Sequence, residues 1–243
     1  MTAPIQVVIF SCALLGFRHG FDYDHIAAIT DIAGVQRRAS DAMRLGLVYA
    51  LGHAITVAAL GSLVIGLQLS LPHTLDRWSE RLVGVTLILL AIYVLATLIF
   101  RKGAPKSRAA LLIGAGQWIH RRGYQWVTGK ETPARPVDVN GWTCFGIGVI
   151  HGLGAETPSQ LALFLLAANL GGAGKGLLGL GIFLVGLLAM NTLMTAAVAG
   201  VFTAGRSWSK CTPILTGLTA IYSLGIGMVF LLGYSDRLMP ING

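Results

Sequence analysis

Two histidines, two aspartates and an arginine fall within eight residues, Arg18-His19-Gly20-Phe21-Asp22-Tyr23-Asp24-His25, and Asp31 follows after a short apolar step. An apolar run beginning near Ile5 leads into them, so the group lies at or near hydrocarbon depth in a chain that reads as membrane-embedded. Each ionised group near the middle of a bilayer costs about 2.5–3.5 kcal/mol on insertion scales. Such a cluster persists where its members satisfy one another, line water or hold an ion. Imidazole and carboxylate in H-x4-D-H spacing, here His19, Asp24 and His25, suit a borderline divalent metal such as nickel, cobalt or zinc.

The elements that must position these groups are apolar. Of 243 residues, 54% are hydrophobic and only 12% charged, with a mean hydropathy of +0.71. Soluble domains carry about 25% charged residues, so the expected fold is an all-α polytopic membrane protein. Stretches of about 20 apolar residues span a bilayer. Six are expected, near 4–33, 42–67, 81–100, 141–169, 177–204 and 213–234. Met1-Thr2-Ala3-Pro4 lacks the basic start of a signal peptide. All five tryptophans fall in loops or near span ends, as interfacial belts predict.

Thirteen of the 18 basic residues fall in the loops after spans one, three and five, from Arg37 to Lys210, and only Arg77, Arg81, Lys175 and Arg237 face the other side. Positive-inside then places both termini outside the cytoplasm. The +8 charge is therefore topology signal rather than nucleic-acid binding. Residues 101–140 form a basic cytoplasmic loop, and 109–119 within it suit an interfacial helix. Cys12, Cys144 and Cys211 are too far apart for a C-x-x-C pair, and Cys12 and Cys144 read as small packing residues.

A repeat divides the chain. Gly16-x-x-His19-Gly20-x-x-x-Asp24 recurs as Gly148-x-x-His151-Gly152-x-x-x-Glu156. Each copy opens a three-span unit, 1–100 and 141–243. Three being odd, the second unit enters from the opposite side, giving a 3+3 inverted repeat with broken helices at the metal site. On a helix turning about 100° per residue, His19, Asp22 and His25 share one stripe, whereas Asp24 lies about 140° from His19. A break near Gly20 would bring Asp24 round, and glycine tolerates such a break. Arg18 is expected to be compensated by Asp22. The remaining polar groups in the spans include His53, His151, Glu156 and Asn191. A lone His53 would serve best as a helix-bridging hydrogen-bond partner; four span histidines with carboxylates favour a metal. Pro158 is expected to kink span four.

The motif resembles that of the nickel/cobalt transporters, whose R-H-A-x-D-A-D-H-I pattern stands here as Arg18-His19-Gly20-Phe21-Asp22-Tyr23-Asp24-His25-Ile26. Leu51-Gly52-His53-Ala54-Ile55-Thr56-Val57 is similar to that family's L-G-H-[ST]-x-V with one residue inserted. Gly154–Gln160 resembles G-F-D-T-A-T-E, and Gly186–Thr192 resembles G-M-x-L-x-D-T with Asn191 in place of Asp. The resemblance implies a short, divergent secondary permease of the inner membrane, not an enzyme, moving Ni²⁺ first and Co²⁺ next as cargo, with no resident cofactor.

The expected metal ligands are His19, Asp24 and His25, with His53 and Glu156 completing or relaying the site and Asp22 and His151 as ligands or orienting partners. The partners are a divalent ion and the lipid bilayer; a second copy of the chain or a metal-delivery protein is compatible with this reading. The chain has no G-x-x-x-x-G-K-[ST] loop, so ion gradients or a partner protein would supply energy. Two readings compete: a haem-binding electron carrier with axial histidines, and an intramembrane metalloenzyme, although no H-E-x-x-H occurs.

Overall fold

The computed structural model describes residues 3–36, 38–67, 73–99, 141–154, 166, 168–169, 171–205, 211–234 and 238. Among them the regular structure is helical: α1 (Ala3–His19), α2 (Tyr23–Gly34), α3 (Ala39–Leu67), α4 (His73–Ile99), α5 (Gly141–Gly154), α6 (Ala173–Gly205) and α7 (Cys211–Leu231). A backbone in hydrocarbon must satisfy its own polar groups, which helices do. The interfacial segment near 109–119, Glu156, Pro158 and His120 lie outside the described residues.

Three helices are long and apolar enough to cross a membrane: 39–67, 173–205 and 212–231. α1 and α2 pass the same test together, bent by 49° at the break between them. α4 runs for 27 residues, but its first turns carry Asp76, Arg77, Glu80 and Arg81. α5 is a shorter apolar helix. Large apolar side chains are exposed along the spans, among them Phe10, Val185, Ile214 and Ile221, the surface a bilayer would cover. Trp142, 82% exposed at the start of α5, and Trp78, beneath the Arg81 guanidinium at 5.6 Å, stand at helix ends. Cys12 and Cys144 are buried free thiols, as their reading as packing residues requires.

The helices meet through glycines, where the missing Cβ lets backbones approach. α1 packs on α6, α3 on both α5 and α6, and α4 on α7, while α2 leans on α7, α6, α3 and α4. In the α1–α6 contact, a Cβ on Gly16 would meet the Phe183 carbonyl, one on Gly186 the Ala13 carbonyl, and one on Gly20 the Leu187 carbonyl. In the α3–α5 contact, Gly148 faces the Tyr49 carbonyl, Gly52 the Phe145 carbonyl and Gly152 the His53 carbonyl. The same two shifts along the sequence, one for α1 to α5 and one for α3 to α6, convert each of these contacts into its counterpart. Two further contacts are their own counterparts. Gly46 meets Thr195 as Gly61 meets Leu180, and Gly84 and Gly227 each face the other's carbonyl.

The helix break falls where Gly20 and the position of Asp24 called for it. α1 ends at His19, and the chain turns through Gly20, Phe21 and Asp22. Phe21 N–H donates to the Arg18 carbonyl at 2.8 Å and Asp22 N–H to the His19 carbonyl at 3.1 Å. Gly20 lies against Met190 and Leu187 of α6, so the broken backbone is covered by protein rather than lipid.

Candidate metal site

The break exposes the His19 carbonyl at the end of α1, and the His25 Nδ1–H reaches back to it at 3.2 Å. A carbonyl can only accept, so His25 carries its proton on Nδ1 and its lone pair on Nε2. The same reasoning fixes His19. Its Nδ1 lies 2.8 Å from Asp22 Oδ2, a carboxylate accepts, and the His19 lone pair is left on Nε2. Asp22 stands at the N-cap of α2 with extended backbone, but makes no capping bond with its side chain. The carboxylate is committed to His19, the arrangement that orients an imidazole toward a metal. The expected Arg18–Asp22 pairing is not among the described ion pairs: the turn leaves Arg18 exposed while His19, three residues before Asp22, takes the carboxylate.

His53 of α3 completes the cluster. Its ring centroid lies 4.4 Å from that of His25 and 5.5 Å from that of His19, and His19 and His25 are 4.9 Å apart. One ligand atom from each of the three lies within 4.8 Å of the others. An inward shift of under about 1 Å would bring three nitrogens to the metal–nitrogen distance of about 2.0–2.1 Å. His25 and His53 are completely buried and His19 is 3% exposed. Neither nitrogen of His53, nor Nε2 of His25, has a hydrogen-bond partner among the described residues. Leaving buried polar atoms unsatisfied costs about 1–3 kcal/mol each, a cost that an ion would remove at His25 Nε2 and at whichever His53 nitrogen carries the lone pair.

Asp24 opens α2, where the positive end of the helix dipole favours a carboxylate. It is buried, and its charge bears on His25, His151 and His19. His151 stands apart from the three. Its Nδ1 lies 3.1 Å from the Tyr49 hydroxyl and its Nε2 2.8 Å from Thr86 Oγ1. Asp31 is buried within α2. Asn191, also fully buried, has neither amide atom hydrogen-bonded among the described residues.

Three residues at the site were missed by sequence reasoning. The Tyr49 ring stands 6.3 Å from His25, 6.5 Å from His53 and 5.6 Å from His151. Phe183 stacks on His19 at 5.7 Å, and Thr86 reaches His151 from α4. Tyr49 lies one helical turn before His53, on the same face, which was the available signal.

The chain is 28% identical over 90% of its length to the nickel transporter NicT of Mycobacterium tuberculosis. It is 26% identical over 94% of its length to the nickel transporter NixA of Staphylococcus aureus. With the cobalt transport protein NhlF of Rhodococcus rhodochrous it shares 27% identity over 89% of its length. The chain is thus similar, along about nine-tenths of its length, to several nickel and cobalt transporters. It spans 64% of NicT, 73% of NixA and 67% of NhlF. No family model matches it, and neither does any solved structure. Two of the four segments that resemble the nickel/cobalt transporter patterns converge: Arg18–Ile26 supplies the helix break with His19 and His25, and Leu51–Val57 supplies His53.

Proposed function

We propose that this protein is a permease that moves a divalent transition-metal ion, Ni²⁺ first and Co²⁺ next, across the cytoplasmic membrane through an intramembrane imidazole site. The observation that carries the reading is the convergence of His19, His25 and His53, buried and from three different helices, with their ligand atoms within 4.8 Å of one another. His19, His25 and His53 are the ligands, and Asp24 brings the negative charge that a divalent ion needs at this depth. Asp22 orients His19, while Glu156 remains a candidate ligand on sequence grounds. Nitrogen donors without a thiolate cluster suit Ni²⁺ and Co²⁺ over Cu⁺.

The rival readings fit less well. Ring centroids 4.4–5.5 Å apart leave no plane for a haem macrocycle between any two of these histidines. Three imidazoles with an open fourth position also describe catalytic zinc. Similarity to transport proteins along nine-tenths of the chain favours passage over catalysis.

The reciprocal glycine contacts support a 3+3 inverted repeat of units 1–100 and 141–243, joined by the basic segment 101–140. Six crossings with both termini outside the cytoplasm follow from that repeat and from the thirteen-to-four basic asymmetry. The test is Ni²⁺ flux into and out of vesicles holding the purified protein, with spectra taken beforehand. Flux carried by wild type and lost in His53→Ala is expected. A purified protein that binds neither Ni²⁺ nor Co²⁺ would overturn the reading.

A further inference from the structure

His151 occupies, in the α3–α5 contact, the place that His19 occupies in the α1–α6 contact. His19 follows Gly16 by three residues and His151 follows Gly148 by three, and both glycines lie on a carbonyl of the facing helix. The residue supplying that carbonyl packs its ring on the histidine in each case: Phe183 on His19 at 5.7 Å, and Tyr49 on His151 at 5.6 Å. The two imidazoles therefore hold matching places, although Phe183 stacks on His19 at 30° between planes and Tyr49 meets His151 edge-on at 85°, and His151 is completely buried. They differ in what holds them. Asp22 holds His19 by Nδ1 and turns Nε2 to the cluster. Two hydroxyls hold His151.

Donor counting settles the direction of those bonds. Thr86 Oγ1 has one proton and gives it to the Val83 carbonyl at 2.7 Å. Toward His151 Nε2 it can then only accept, so Nε2 bears hydrogen. The neutral ring keeps its lone pair on Nδ1, where the Tyr49 hydroxyl donates at 3.1 Å. This lone pair is occupied by the hydroxyl of a ring that touches both places, 5.6 Å from His151, 6.3 Å from His25 and 6.5 Å from His53.

We propose that His151 is a second metal station, its Nδ1 lone pair capped by the Tyr49 hydroxyl in this conformation and taken by the divalent ion when it leaves the His19, His25 and His53 cluster. The inference rests on the permease reading and extends it. The ion moves between matching imidazoles of the two halves, and the Tyr49 hydroxyl is the cap it displaces. The reason the second station is closed here is local: Tyr49 carries a hydroxyl where its counterpart Phe183 has none.

The test compares Ni²⁺ binding by the purified full chain with Ni²⁺ flux in vesicles. His151→Ala should keep the affinity of the cluster within about threefold and lower the maximal flux on the order of tenfold or more, a split between binding and turnover. Tyr49→Phe keeps the ring and uncaps the lone pair. It should bind more Ni²⁺ per chain than wild type, and the increment should vanish in Tyr49→Phe with His151→Asn. Wild-type flux in His151→Ala would overturn the proposal. So would loss of binding as complete as in His53→Ala, which would make His151 a ligand of the same site. If His151→Ala does not fold, an unchanged stoichiometry in Tyr49→Phe still overturns it. Wild-type protein without Ni²⁺ binding would bring down the permease reading itself, and this one with it.

Discussion

The imidazoles of His25 and His53, one from the short helix after the break and one from the middle of the 29-residue span α3, stand 4.4 Å apart at 79°. Neither His25 Nε2 nor either nitrogen of His53 is hydrogen-bonded among the described residues. Two buried rings brought edge to face with spare lone pairs are arranged for a third party. Removing either ring should therefore remove binding rather than folding. His25→Ala and His53→Ala should each weaken Ni²⁺ binding by more than about 100-fold, beyond the 10–100-fold typical of outer partners. Both should stay inserted and monodisperse, while His73→Ala should bind as wild type. Calorimetry on purified protein checks this, and wild-type affinity in His25→Ala would refute the site.

Asp22 touches no candidate ion position directly; it holds His19 Nδ1 at 2.8 Å. Its side chain is 43% exposed, so its loss leaves no buried charge stranded. Asp22→Asn can hydrogen-bond His19 but no longer dictates which nitrogen carries the proton. A 10–100-fold loss of Ni²⁺ affinity is expected, smaller than that of His19→Ala. Equal losses in the two variants would mean that Asp22 is itself a ligand.

Proton and metal compete for the same imidazole lone pairs. Ni²⁺ affinity should be greatest where the imidazoles are neutral and fall as pH drops into the range where they take up a proton. The fall should approach one decade per pH unit for each imidazole that must lose a proton to bind. Titrations of Ni²⁺ binding at several pH values give the slope, and a flat profile would exclude imidazole ligation.

The helix break was legible as one of two solutions: Gly20 permits it, and without it Asp24 would leave the stripe of His19 and His25 and have to face another helix. The joining of His53 to them was not legible from spacing, since it depends on how α3 lies beside α1 and α2. The company of four span histidines with carboxylates, and then the family resemblance, pointed to it; periodicity did not. Tyr49 and Thr86 read as ordinary span residues until the glycine contacts bring α5 onto α3 and α4. Arg18 was misjudged because sequence nearness to Asp22 takes no account of its place on the exposed side of α1, while His19 next to it takes the carboxylate. Asn191 drew notice as a polar span residue and as a substitution in a pattern; that it is buried with no hydrogen-bond partner among the described residues is visible solely in three dimensions.

Orientation can be tested apart from the metal. Single cysteines in a cysteine-free background at Ser107 and Gly129 should react only from the cytoplasmic side, and one at Gly172 only from outside. The expectation follows from the basic loops. Labelling of position 107 from outside intact cells would remove the six-span arrangement.

The reciprocal glycines give the sharpest stability prediction. At Gly16 a Cβ would run into the Phe183 carbonyl, and at Gly148 into the Tyr49 carbonyl. Backbone cannot rotate aside as a side chain can, so the helices must separate. Overpacking of this kind costs about 1–3 kcal/mol. Gly16→Ala and Gly148→Ala should therefore destabilise by similar amounts, since the contacts they break are counterparts. Gly146 and Gly181 have nothing within 4 Å of a new Cβ. Alanine there should be neutral or stabilise by up to about 1 kcal/mol, the helical preference for alanine over glycine. Unfolding in detergent measures all four. Destabilisation at Gly16 with none at Gly148 would contradict the equivalence of the two contacts, and with it the argument that His19 and His151 hold matching places.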